Sequence, residues 1–127
     1  MKRNWDTIRL ILTKVEGKHD SSYALLLQHF EPFDNLDQFE ISYHVRLMLE
    51  IGLIEGKIDG PVGGGKPATF VILRLTWAGH EFLDSIRSDT VWSKTKETFV
   101  SRGLDMTFET IKTVVSAIGV SMLGRSL

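Results

Sequence analysis

A chain of 127 residues, 43% of them hydrophobic and three of them tryptophan, can bury one domain-sized core. A net charge of −1 speaks against a general polyanion binder, and the lack of cysteine excludes disulfides, thiolate nucleophiles and cysteine-based zinc sites. No apolar run approaches the roughly 18 residues of a membrane span, and Asp6 interrupts the start before any apolar h-region, so neither a span nor a signal peptide is expected. The charge is uneven. Residues 1–18 hold five basic and two acidic side chains, whereas residues 31–59 hold seven acids (Glu31, Asp34, Asp37, Glu40, Glu50, Glu55, Asp59) against Arg46 and Lys57.

The first predicted element is an amphipathic helix over residues 4–16. Trp5, Ile8, Ile11, Leu12 and Val15 form its apolar stripe, Asn4 can cap it, and Gly17 ends it. Lys2, Arg3, Arg9 and Lys14 fall off the stripe and read as a solvated face. Residues 23–30, "YALLLQHF", are too short a run for periodicity to separate strand from helix, and are read as a short strand. Pro32 and Asp34-Asn35 then give a turn. The clearest helix covers residues 37–51, with Asp37 as N-cap and Glu40 three residues on, in a capping-box arrangement. Ile41, Val45, Met48 and either Leu49 or Ile51 are its expected buried stripe, and Gly52 supplies a left-handed stop.

Two strand-like runs follow, "LIEGKI" (53–58) and "ATFVILRL" (68–75), joined by "GPVGGGKP" (60–67). This joining stretch nearly spells the phosphate-binding loop G-x-x-x-x-G-K-[ST]. Such a loop needs a helix after it and a hydroxyl after its lysine. Pro67 has neither hydroxyl nor N–H, disfavours a helical Lys66, and is followed by a strand. The stretch is therefore read as a hairpin tip, with Lys57 and Lys66 available to a polyanion. Thr76-Trp77 opens the next helix, with Phe82, Leu83 and Ile86 inward. A further helix is expected at about 90–101 with Val91, Trp92, Thr95 and Phe99, closed by Arg102-Gly103. The last runs from about 106 to 122, with Phe108, Ile111, Val114, Val115, Ile118 and Met122 as a broad stripe that Ala117, Val120 and Leu123 widen.

A helix ending in "YHVRLMLEIGLI", a glycine-rich hairpin, and then "LRLTWAGHEFLDSI" has the layout of a winged-helix domain. The start "MKRNWDTIRLILTKVE", the "YHVRLMLEIGLI" block and "LTWAGHEFLDSIRSDTVWSKTK" together resemble a bacterial and phage family of unknown function, DUF2513. They are also similar to the YjcQ-like winged-helix family. The resemblance covers about residues 1–112. It implies an α+β fold: a winged-helix domain (1–88) with a degenerate helix-turn-helix and a β-hairpin wing, plus a C-terminal helical extension (89–127). It further implies a phage or prophage setting in a bacterial cytoplasm, and it carries no catalytic residues.

Partner contacts are sought first on the second helix, whose exposed face would enter the major groove in a DNA-reading winged helix. The expected face presents Ser42, Tyr43, Arg46 and Leu47, with Glu50 at its end. Arg46 could read a guanine, but Asp37, Glu40 and Glu50 repel phosphates. The stretch before residue 37 also lacks the helix that a helix-turn-helix requires. "HEFLD" (80–84) resembles half of a zinc-protease motif, but its last position is Asp84, no third ligand stands out, and His80 reads as a surface residue. His44 is expected to be half-buried beside the wing. Trp77 and Trp92 could be partner-binding aromatics, but both fit helical apolar stripes and core packing is the better reading. No serine sits in a nucleophile elbow and no cofactor motif is present. The sequence points to a small non-enzymatic regulator or modulator that binds a host or phage protein, the alternative being a DNA-binding transcriptional regulator. The candidate contacts are Ser42, Tyr43, Arg46, Lys57 and Lys66, and a homodimer through residues 106–123 is expected.

Overall fold

In a computed structural model of the chain, the structure describes residues 1–18, 22–30, 37–60 and 65–126, with side chains as far as Gly124. The predicted turn at Pro32 and Asp34-Asn35 and residues 61–64 of the hairpin tip lie outside the described residues. The contacts divide the chain into two compact units, Met1–His80 and Glu81–Leu127.

The first unit begins with α1 (Trp5–Glu16), capped by the Asn4 side chain, which accepts from the N–H groups of Asp6 and Thr7. An amide oxygen here satisfies helix N–H groups that have no carbonyl ahead of them. Trp5, Ile8, Ile11, Leu12 and Val15 are all buried, as the spacing demands. The expected strand at 23–30 is only two residues long, β1 (Leu25–Leu26), and Leu27–Phe30 form a 3₁₀ turn. The reason lies in His29. Its Nδ1 accepts from the Leu26 N–H at 2.8 Å, pulling the chain into a tight turn that sends Phe30 into the core.

Helix α2 (Gln38–Glu50) starts where its cap predicts, with the Asp37 carboxylate accepting from the Glu40 N–H at 2.7 Å. The Glu40 carboxylate accepts from the Thr7 hydroxyl at 3.0 Å, tying α2 to α1. Ile41, Val45 and Met48 are 0–1% exposed, worth roughly 1.5–3 kcal/mol each as buried side chains. Leu49 is half-buried while Ile51 is 45% exposed, so Leu49 is the fourth member of the stripe. Gly52 has φ 76°, and the N–H groups of Gly52 and Leu53 close on the carbonyls of Leu49 and Met48. This double closure needs a left-handed residue, which glycine adopts without steric cost.

Strands β2 (Ile54–Asp59) and β3 (Thr69–Leu75) form the expected hairpin, and β1 pairs with the other edge of β3, giving the antiparallel order β1-β3-β2. The ladder shifts between Glu55 and Gly56. Glu55 faces Arg74 and Gly56 faces Ile72, so Leu73 has no opposite residue. The extra residue resets the alternation: Ile72 and Leu75 both point inward, and Leu73 and Arg74 both point outward. The Lys18 ammonium donates to the Leu73 carbonyl at this bulge and lies over the Tyr23 ring.

Helix α3 (Trp77–Ile86) is seated by Thr76. The Thr76 N–H donates to the Leu53 carbonyl, its hydroxyl donates to the Gly52 carbonyl, and the same oxygen accepts from the Gly79 N–H. A Cβ at position 79 would stand 2.0 Å from the Leu53 carbonyl oxygen, so only glycine fits.

The second unit holds the rest of α3, α4 (Asp89–Arg102) and α5 (Phe108–Ser126). Ser88 caps α4, and Gly103, at φ 62°, ends it with Leu104 closing on Phe99. Helix α5 begins two residues later than expected, because Thr107 and Thr110 exchange hydroxyl and N–H contacts at its start. Trp92, Thr95 and Phe99 of α4 and Ile111 and Val115 of α5 are buried, and the Phe82 and Phe108 rings lie 4.9 Å apart. The rest of the expected α5 stripe is less covered. Val114, Ile118 and Met122 are half-buried, and Val120 and Leu123 are exposed.

Candidate partner-binding face

The core fixes which side of α2 is free. Ile41, Val45 and Met48 point inward at helical spacing, so the opposite side falls to Phe39, Tyr43, Arg46, Leu47 and Glu50. Phe39 is 47% and Tyr43 36% exposed, and they stand one turn apart. Arg46 and Leu47 are half-buried, and Glu50 is exposed at the C-terminal end. Ser42 is not on this face. It is 5% exposed, and its hydroxyl donates to the Phe39 carbonyl. Three residues before Val45, it lies toward the core side, and a hydroxyl is buried there cheaply because a carbonyl of its own helix accepts from it.

His44 is fully buried rather than half-buried. Its Nε2 accepts from the Asn4 N–H at 2.7 Å, so that nitrogen carries no hydrogen. Nδ1 then donates to the Glu40 carbonyl at 2.8 Å. The ring meets Tyr43 edge-on, with centroids 5.6 Å apart. His44 thus joins the residue before α1 to α2.

The hairpin presents mixed charge. Lys57 and Lys66 are exposed, as are Glu55 and Asp59. Glu55 forms a 2.6 Å ion pair with Arg74 across the ladder. At the far end of α2, Ile51 is 45% exposed and Trp77 is 79% exposed, correcting the core assignment of Trp77. Trp77 is the first residue of α3, directly after Thr76, and lies open to solvent, whereas Trp92 is buried as expected. Phe39, exposed on this face, was not singled out in the sequence reading. A projection of α2 would have found Phe39, since it sits one turn before Tyr43 and off the Ile41–Val45–Met48 stripe.

Asp84 pairs with Arg87 at 2.6 Å, and His80 is exposed. Among the described residues, no group of three or more His, Asp or Glu side chains is placed to hold a metal ion. No helix among them is long and apolar enough to cross a membrane.

A protein of Haemophilus influenzae that bears the name "Uncharacterized protein" is 42% identical over 123 residues, which is 97% of this chain and 99% of that protein. No solved structure matches the chain. Residues 2–105 match the family described as "Hypothetical protein (DUF2513)". With most of its length inside that match, the chain belongs to the DUF2513 family.

Proposed function

We propose that the protein acts by binding, without catalysis, and that the outer face of α2 is presented to a protein partner on a winged-helix scaffold. The order helix, short strand, 3₁₀ turn, helix and hairpin, with strands arranged β1-β3-β2, supports that scaffold, and kinship to YjcQ-like proteins is part of the same proposal. In it, the 3₁₀ turn replaces the first helix of a helix-turn-helix. The observation that carries the reading is the pair Phe39 and Tyr43, exposed one turn apart on a helix that holds one arginine and ends on Glu50. Exposed aromatics are enriched where proteins meet, while a phosphate backbone calls for clustered cations. The biological role is a small regulator or modulator of a phage or mobile element, acting in the cytoplasm of a bacterial host.

A DNA-binding regulator is the second reading, favoured by Arg46 on the same face and by the exposed Lys57 and Lys66 of the hairpin. Affinity capture from host lysate, with and without nuclease, separates the two. The expected outcome is a partner retained after nuclease and lost with Phe39→Ala/Tyr43→Ala. Capture that disappears with nuclease, together with duplex binding tighter than about 10 μM at low salt, would replace the first reading by the second. Arg46→Ala should then cost about 1–3 kcal/mol on the best site.

A further inference from the structure

The outward side of α5 carries a second pattern. Glu109, Thr113, Ser116, Val120 and Leu123 follow one another at spacings of four, three, four and three, and all are exposed. Val120 is 68% and Leu123 66% exposed. The seam lies on the side away from the buried Ile111 and Val115. Along it, Glu109, Lys112, Thr113, Ser116, Ala117 and Val120 border a shallow, open stretch of surface. From Thr113 to Gly124 the helix has no charged residue, so more than three turns offer water only small or apolar side chains along this side. Alternating spacings of three and four are those by which two helices pack side by side.

We propose that this seam is a homodimer contact, in which α5 of one copy lies antiparallel on α5 of a second about a two-fold axis level with Ile118. In that arrangement Leu123 of the partner subunit meets Thr113, and Val120 of the partner subunit meets Ser116, and the same pairs recur across the axis. Every large side chain faces a small one, since Thr113 and Ser116 leave room for Leu123 and Val120 of the partner subunit. The composition selects the antiparallel sense. A parallel pair would set Glu109 against Glu109 of the partner subunit and Ser116 against Ser116 of the partner subunit, placing like charges in one layer and a void in another. An isologous contact uses one patch twice, which a self-complementary face allows. One helix pair with four layers is smaller than a standard interface of about 800 Å² per partner. The expected dissociation constant is therefore on the order of tens of micromolar.

Sedimentation equilibrium between about 10 and about 500 μM tests the contact over the range where such an affinity shows. The unmutated chain should pass from monomer to dimer, and Val120→Glu should remain a monomer with an unchanged helical circular dichroism spectrum. Should Val120→Glu unfold, Ser116→Glu makes the same test at an exposed polar position. The chain has no cysteine, so a spin label on Glu109→Cys reports the sense directly. The antiparallel pair separates the two labels by roughly 27 Å along the axis, at 1.5 Å per residue. A monomer at the highest concentration, a dimer undiminished in the glutamate variants, or labels closer than about 15 Å would each overturn the proposal.

Discussion

The imidazole of His44 stands between two backbone groups, taking a hydrogen bond from Asn4 and giving one to Glu40. The ring itself is fully buried. His44→Ala would remove both bonds and open a cavity where a fully buried ring stood, so it should lower stability by about 2–5 kcal/mol. Urea unfolding measures this, and a loss under about 0.5 kcal/mol would mean that water takes over both bonds. The sequence showed only a histidine four residues after Glu40. Its second partner is forty residues away in the chain, and no local pattern reveals such a pairing. Trp77 makes the opposite case. It is 79% exposed, so Trp77→Ala should change stability by less than about 0.5 kcal/mol while removing the tryptophan fluorescence most open to iodide quenching.

Helix α2 and the hairpin carry the binding proposal, and their boundaries were legible because each end is set by neighbouring residues: Asp37 and Glu40 at the start, Gly52 at the stop. The outward side was legible but not read: Phe39 sits one turn before Tyr43, and Ser42, three residues before Val45, falls toward the core. The strand expected at 23–30 shrank for a reason that no periodicity shows, since its turn is made by the His29 side chain on the Leu26 N–H. Phe39→Ala and Tyr43→Ala should each leave stability within about 1 kcal/mol, because neither anchors the core. Each should cost about 2 kcal/mol or more of partner affinity if the face is a hot spot. The hairpin gives a separate prediction. Lys66 precedes Pro67 and a strand, with no helix N-terminus to hold phosphates. Equilibrium dialysis with Mg-ATP and Mg-GTP should show no binding tighter than about 100 μM, and Lys66→Ala should change nothing.

At the scale of the whole molecule, the two proposals fall in different units. The α2 face belongs to Met1–His80 and the α5 seam to Glu81–Leu127. Where two faces share no partner residues, the effects of substitutions on them combine additively. Val120→Glu should therefore leave capture of the protein partner by a single copy unchanged, and Phe39→Ala should leave the sedimentation behaviour unchanged. Failure of either would show that partner binding and self-association share a surface.

The seating of α3 also sets how the chain can vary under selection. In a saturation library scored only for folding, position 79 should admit glycine alone, because a Cβ would stand 2.0 Å from the Leu53 carbonyl oxygen. Two residues earlier, position 77 should admit almost any side chain, because Trp77 is 79% exposed. The same library scored for activity in the host would keep the first restriction and lose the freedom at the second, if the indole is part of what the protein presents. The difference between the two scores at position 77 separates the demands of folding from those of function, even before a partner is in hand.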